Sequence, residues 1–144
     1  MATINQALIL FPMAVMVALV MVMAPLMLRE RMQELKARRI HPQKVATSTQ
    51  MAGVLQNTRA ADNYKNLFEM PVLFYACCLA LLALQAVTPL QLGLAWTYVV
   101  LRLVHSYIHV GYNNVMHRFS AFALSALVLL VMWGLLVVNV LQRV

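Results

Sequence analysis

Four long apolar runs limit most strongly what this chain can fold into. A helix needs about 20 apolar residues to cross a hydrocarbon core of roughly 30 Å, and four stretches come close to that length: 7–28, 67–87, 90–110 and 119–141. Of the 144 residues, 63% are hydrophobic and 10% are charged, whereas soluble domains carry roughly 25% charged residues. The sequence therefore predicts an all-α polytopic membrane protein, a single four-transmembrane-helix bundle over residues 1–144, and excludes a secreted or cytosolic enzyme.

The distribution of positive charge predicts the orientation of the bundle. Eight of the eleven Lys and Arg residues lie in the segment 29–65, between the first two spans. Cytoplasmic loops carry an excess of these residues, so we expect a basic cytoplasmic loop over 29–65, with both termini outside the cytoplasm and no nucleic acid as a partner. Fair helical propensity over 48–57 predicts that the second helix begins below the bilayer and continues upward into its span.

Polar residues repeat at three- and four-residue spacing near the cytoplasmic ends of the spans, which puts them on one face of each helix. The first stripe leads into the second span and the second stripe ends the third span: Arg59, Asn63, Asn66 and Glu69, then Arg102, His105, His109 and Tyr112 or Asn113. Arg118 then opens the fourth span. The stripes predict a water-filled polar pocket open to the cytoplasm, and its excess of cations predicts an anionic ligand.

Glu69 and Arg102 come level with each other in an antiparallel helix pair. At 1.5 Å per residue, Glu69 lies roughly 15 Å along its helix from Arg59, and Arg102 lies roughly 15 Å from Tyr112. A lone charge in hydrocarbon costs about 2.5–3.5 kcal/mol or more. We therefore expect Glu69 and Arg102 to pair and to face protein, on neighbouring helices or neighbouring subunits. For these two residues alone, an architectural ion pair that fixes helix register is the alternative.

Two further groups of residues have structural interpretations. His105 and His109 have the spacing to share a metal ion or haem, but such sites in helical bundles usually draw ligands from facing helices. The other two histidines lie in connections, so no metal is predicted. Cys77 and Cys78 lie deep in the second span among Ala and Leu, which is typical of packing residues.

Two segments carry a specific pattern of residues. One is Arg59-Ala-Ala-Asp-Asn-Tyr-Lys-Asn66-Leu-Phe-Glu69-Met-Pro71, and the other is Arg102-Leu-Val-His105 followed by Gly111 and Arg118. In order and spacing they resemble the second helix, the third helix and the start of the fourth helix of the MAPEG family, the membrane-associated proteins in eicosanoid and glutathione metabolism. The resemblance covers most of the chain.

The resemblance implies a homotrimer that binds glutathione between its subunits at the cytoplasmic side. Carried over residue by residue, it implies a glutathione-binding set composed of Arg59, Asn66, Glu69, Arg102, His105, His109 and Tyr112. Arg118 would be the catalytic residue that holds the sulfur as thiolate. The reaction would be of transferase or peroxidase type on a lipophilic substrate that arrives from the bilayer, in a bacterial plasma membrane with membrane lipids as further partners.

Asp62 departs from the family pattern and separates two functional hypotheses. It stands four residues before Asn66, where better-studied members often have an Arg, and His109 stands where several have a Tyr. If the pocket holds an anion, Asp62 must point away from it or pair with Arg59 or Lys65. The alternative hypothesis is a non-enzymatic membrane protein of this fold that binds lipid or stabilises a larger membrane assembly.

Overall fold

Every regular element of the computed structural model, which describes residues 4–143, is helical. Six α-helices follow one another: α1 (Leu10–Ala37), α2 (Ser48–Val54), α3 (Arg59–Asn66), α4 (Met70–Ala83), α5 (Pro89–Val110) and α6 (Val115–Leu141). Short 3₁₀ turns at Gln6–Ile9 and Pro42–Val45 precede α1 and α2. The predicted all-α class is confirmed.

In the described part of the chain, three helical stretches are long and apolar enough to cross a membrane: Gln6–Ala37, Arg59–Ala83 and Val115–Leu141. The protein is therefore an integral membrane protein. Helix α5 has 22 residues, which cover about 33 Å, but its buried Arg and His side chains make it less apolar than these three. The predicted fourth crossing thus depends on the length of α5 alone.

Hydrogen bonds between distant residues define the two ends of the bundle. At the end that we call the basic end, where α3 begins and α5 ends, the Arg59 guanidinium donates to the backbone oxygen of Gly111 at 2.9 Å. At the opposite end, the turn end, the Gln6 amide pairs with both backbone groups of Val87 at 3.2 and 2.8 Å. Arg143 donates there to the Leu84 carbonyl at 2.7 Å. The short connections 84–88 and 111–114 reverse the chain, so α5 runs antiparallel to both α4 and α6.

The second helix is not continuous, and here the sequence prediction is wrong. Helix α2 ends at Val54, and the chain breaks again at residues 67–69, where Glu69 has φ −98° and ψ −97°. Pro71 explains the second break, because it has no N–H to donate to the carbonyl of Leu67, four residues earlier, and its ring would clash with that carbonyl in a continuous helix. Proline is accommodated in the first turn of a new helix, so α4 starts at Met70.

A carboxylate at the end of α1 fixes the segment that leads into α3. The Glu34 side chain accepts hydrogen bonds from the backbone N–H of Gln56 at 2.7 Å, the N–H of Asn57 at 3.1 Å and the Arg38 guanidinium at 3.1 Å. These bonds lower the pKa of Glu34, the bond from Gln56 most of all. Glu34 lies roughly 9 Å beyond Leu28, where the apolar stretch of α1 ends. The start of α3 is therefore anchored outside the apolar layer.

The apolar core lies between α1, α4, α5 and α6. Phe74 and Tyr98 are fully buried and stack at 4.4 Å between ring centroids, with an interplanar angle of 11°. The Trp133 indole N–H donates to the Leu73 carbonyl at 3.2 Å. Cys77 and Cys78 are free thiols buried in the same core, where they pack as small apolar residues.

Candidate functional site

A cavity of about 290 Å³ lies at the basic end between α3, α5 and α6. Ligand pockets in proteins are typically about 300–1,000 Å³, so this volume is near their lower limit. Its polar lining consists of Asn66, His105, His109 and Arg118, and its apolar wall consists of Val115, Phe119 and Phe122 on α6, the helix that also carries Arg118. Phe119 is 62% exposed, so the apolar wall is continuous with the outer face of α6.

Arg118 lies in the first turn of α6, which begins earlier than the predicted span at 119. The Asn114 side chain caps this helix by accepting hydrogen bonds from the backbone N–H groups of Met116 and His117 at 3.0 and 3.2 Å. The Arg118 guanidinium donates to the Asn113 side-chain oxygen at 2.8 Å and contacts Nε2 of His109 at 3.3 Å. Because a guanidinium only donates, Nε2 of His109 is the acceptor. The cation is thus held in one orientation at the cavity wall.

His105 is tied to the backbone of Arg118. Its Nδ1 lies 3.1 Å from the Arg118 carbonyl oxygen, and because a carbonyl only accepts, Nδ1 carries the hydrogen. In the neutral ring, Nε2 is then an acceptor, and among residues 4–143 it has no hydrogen-bond partner. The ring therefore offers one acceptor to a molecule bound in the cavity.

Arg102 is linked to Glu69 through Asn66, and within the described chain the two side chains form no direct ion pair; a pair between subunits stays a prediction. The fully buried Arg102 guanidinium donates through Nη2 to the Asn66 backbone oxygen at 3.3 Å and to the Asn66 side-chain oxygen. The Asn66 amide donates in turn to Oε2 of Glu69 at 3.2 Å. The break at 67–69 takes Glu69 off the helical stripe and leaves it exposed. The two charges are level, as expected, but an amide stands between them.

Arg102 keeps unused hydrogen-bonding capacity inside the protein. Its Nε and Nη1 atoms are buried and have no partner within the described range, and its guanidinium carbon lies 5.8 Å from the centroid of the Phe122 ring. Phe122 also lines the cavity. A buried cation with unpaired donors one side chain away from a cavity favours an anionic ligand.

The sequence analysis missed several residues of this region. Ser106 donates to the side-chain oxygen of Asn63 at 3.2 Å, and this buried pair joins α5 to α3. Asn63 belongs to the predicted stripe, but its role is packing between helices. Phe119 and Phe122, three residues apart on one helix face, were a detectable signal for the apolar wall. Asn113, which the predicted stripe offers as the alternative to Tyr112, has φ of 50°, and its contact with Arg118 depends on how the connection folds.

Four of the predicted binding residues do not line the cavity, and neither does Asp62: they are Arg59, Glu69, Arg102 and Tyr112. The Arg59 guanidinium donates to the backbone oxygen of Gly111, and the exposed Tyr112 hydroxyl lies 3.0 Å from Nδ1 of His117. Asp62 is exposed and lines a separate cavity of about 110 Å³ between α1, α2 and α3, together with Lys65. It therefore points away from the cavity that Arg118 lines, as an anion there requires. Within the described residues, no three His, Cys, Asp or Glu side chains cluster as metal ligands do.

Comparison with known proteins gives one finding for the chain as a whole. The model of the MAPEG family matches residues 9–138, which is nearly the entire sequence. No curated protein and no solved structure matches significantly.

Proposed function

The chain belongs to the MAPEG family of membrane proteins in eicosanoid and glutathione metabolism, and from that premise we propose that it is a glutathione-dependent transferase or peroxidase-like enzyme with a lipophilic substrate. The observation that carries the proposal is the Arg118 guanidinium, which Asn113 and His109 hold in the wall of an amphipathic cavity. A fixed cation in the same cavity as two phenylalanine rings suits a reaction between a thiolate and an apolar electrophile.

The chemistry follows from the charge of Arg118. A free thiol has a pKa of about 8.5, so most of a glutathione pool is protonated at neutral pH. A guanidinium beside the sulfur lowers the pKa of that thiol and stays charged when partly desolvated. The N-terminus of the 27-residue helix α6 adds partial positive charge. The thiol proton passes to solvent, the thiolate forms a sulfur–carbon bond, and the leaving group departs with its electron pair.

The tripeptide part of glutathione has groups that match the remaining residues. Its carboxylates suit the free donors of Arg102, and its N–H groups suit Nε2 of His105. Asn66 and Glu69 offer an amide and a carboxylate to the ammonium end. In the proposed homotrimer, with glutathione between subunits, Arg59 and Tyr112 would meet the ligand beyond the cavity of a single chain.

We also propose the membrane arrangement. Helix α5 is the fourth crossing, the basic end faces the cytoplasm, and both termini lie outside, in a bacterial plasma membrane. The support is the concentration of eight cations in the segment 29–65, because such charge marks cytoplasmic loops.

Calorimetry with glutathione on the detergent-purified protein, with thiolate absorbance read in parallel, tests the proposal. We expect saturable binding with a thiolate signal, and in Arg118→Ala the loss of that signal. Arg29→Ala is the matched control, because it removes the same charge from an exposed position at the end of the first span, and it should keep both signals. No binding at millimolar glutathione would refute the proposal and favour the non-enzymatic alternative.

A further inference from the structure

Two adjoining cavities lie at the turn end, far from Arg118. Their volumes are about 560 and 220 Å³. Both are lined by Ala86, Thr88, Leu90 and Asn139, so they adjoin and together make up a space at the ends of α4, α5 and α6. The proposed glutathione chemistry uses none of these residues.

Gln91 gives this space a buried hydrogen-bond acceptor. The residue is 3% exposed and lines the smaller cavity. Its Nε2 donates to the Met132 carbonyl at 3.1 Å, and because a carbonyl cannot donate, the orientation of the amide is fixed. Oε1 is therefore the free end, and it finds no hydrogen-bond partner in the part of the chain that the structure describes.

Asn139 provides a second acceptor from the facing helix. It lines both cavities, and its Oδ1 is buried without a partner among residues 4–143. Unpaired buried acceptors are costly and uncommon. Two of them around one space, on α5 and α6, call for a molecule that donates hydrogen bonds.

The lining combines a cation, amides and apolar side chains. Arg143 lines the larger cavity, where one of its nitrogens is bonded to Leu84 and the rest of its donors are available. Leu135, which lines the smaller cavity, is eight residues earlier on the same chain and so roughly 12 Å further inward. The cation thus lies toward the end of the bundle, and because Leu90 lines both cavities, apolar side chains are present at both depths.

We infer that this space binds a glycerophospholipid whose headgroup donates hydrogen bonds, such as phosphatidylethanolamine. The phosphate faces Arg143, the donating headgroup reaches the oxygens of Gln91 and Asn139, and an acyl chain lies along Leu135. A membrane lipid fits because the rim is continuous with the outer surface, where Leu90 and Val138 are about half exposed. The site is independent of the glutathione proposal.

Competition between lipids tests the inference directly. The full chain is incubated in mixed micelles with equal amounts of phosphatidylethanolamine and phosphatidylcholine, and bound lipid is counted by native mass spectrometry. The two headgroups have the same net charge, but the choline headgroup has no donor. We expect about a fivefold preference for phosphatidylethanolamine, the ratio that one hydrogen bond of about 1 kcal/mol gives. Equal occupancy in the wild-type protein overturns the inference without any variant.

Variants show which side chains cause the preference for phosphatidylethanolamine. Gln91→Leu and Asn139→Leu should bring the ratio close to one, whereas Thr97→Val, an exposed position on α5 whose hydroxyl bonds only to its own helix, should keep it. Phosphatidylglycerol, which donates through hydroxyls, should also exceed phosphatidylcholine. A preference for phosphatidylglycerol alone would indicate that net charge causes the selectivity. An unchanged ratio of bound phosphatidylethanolamine to phosphatidylcholine in both Leu variants would show that the amides of Gln91 and Asn139 do not cause it. Either result overturns the assignment.

Discussion

Replacement of Asn66 by Leu tests the link between the two charges of the second and third helices. In the folded protein, the side-chain oxygen and backbone oxygen of Asn66 are the partners of a guanidinium with no exposed surface. The substitution removes the side-chain oxygen and leaves Arg102 with the backbone contact. Hydrogen bonds to charged groups contribute about 1.5–3 kcal/mol, so we expect the free energy of unfolding to fall by about 2 kcal/mol.

A double-mutant cycle with Arg102→Met separates this effect from other roles of Asn66. Without the guanidinium, Asn66 has no buried cation to satisfy, and the same substitution should cost less than about 0.5 kcal/mol. Arg102→Met alone should be close to neutral, because a well-packed apolar side chain can replace a buried charge at little cost. Glu69→Gln, which keeps an acceptor for the Asn66 amide, is the conservative control.

The assay is reversible unfolding of the purified protein in mixed micelles, followed by circular dichroism as the denaturing detergent is increased. A coupling free energy of about 1.5–2 kcal/mol between positions 66 and 102 is the expected result. An equal loss in both backgrounds would refute the reasoning. It would mean that Asn66 acts through the end of α3 and the break that follows it, and that the buried guanidinium does not depend on it.

Three further outcomes follow from the described contacts. Hydrogen bonds lower the pKa of Glu34, so its contribution to stability is present above its ordinary pKa and is lost as the pH falls through the lowered value. The difference in melting temperature between the wild type and Glu34→Gln should therefore shrink as the pH is taken from 7 to 3. A constant difference would contradict this expectation. Gly111→Ala should lower the melting temperature by several degrees, because the new Cβ would lie 2.8 Å from the Tyr107 backbone oxygen, while Gly53→Ala, where nothing lies within 4 Å, should not lower it. Gln6→Leu removes both hydrogen bonds to Val87 and should lower the free energy of unfolding by about 1–3 kcal/mol, measured by the same detergent titration. A loss under about 0.5 kcal/mol would show that these bonds do not stabilise the turn end.

Composition and motif spacing were sufficient to predict the class of protein. The all-α membrane fold is confirmed, and the family resemblance is confirmed by the match over residues 9–138. Helix α5 starts one residue before the predicted span and ends with it, because Pro89 and Gly111 punctuate the sequence. Helix α6 starts four residues before the predicted span, since its cap is the side chain of Asn114 and the apolar run begins later than the helix.

The sequence could not predict how the polar residues are joined. The ion pair between Glu69 and Arg102 was argued from depth, and depth is a property of continuous helices. Pro71 interrupts the second helix at residues 67–69, which include the critical carboxylate, so the register that placed Glu69 on the stripe no longer applied. The cavities at both ends depend on packing between helices that are distant in sequence, for which spacing along one helix gives no information.

The break at residues 67–69 also determines where the chain tolerates changes in length. A helix turns about 100° per residue, so one residue inserted within α5 would rotate Arg102 and His105 relative to each other and away from their partners on α3 and α6. An insertion at 67–69 falls between two helices and rotates neither of them internally, so α3 and α4 can each keep their own contacts. Natural variation in length and engineered insertions should therefore be concentrated at residues 67–69, between α3, which contributes Asn66 to the polar site, and α4, which packs in the apolar core.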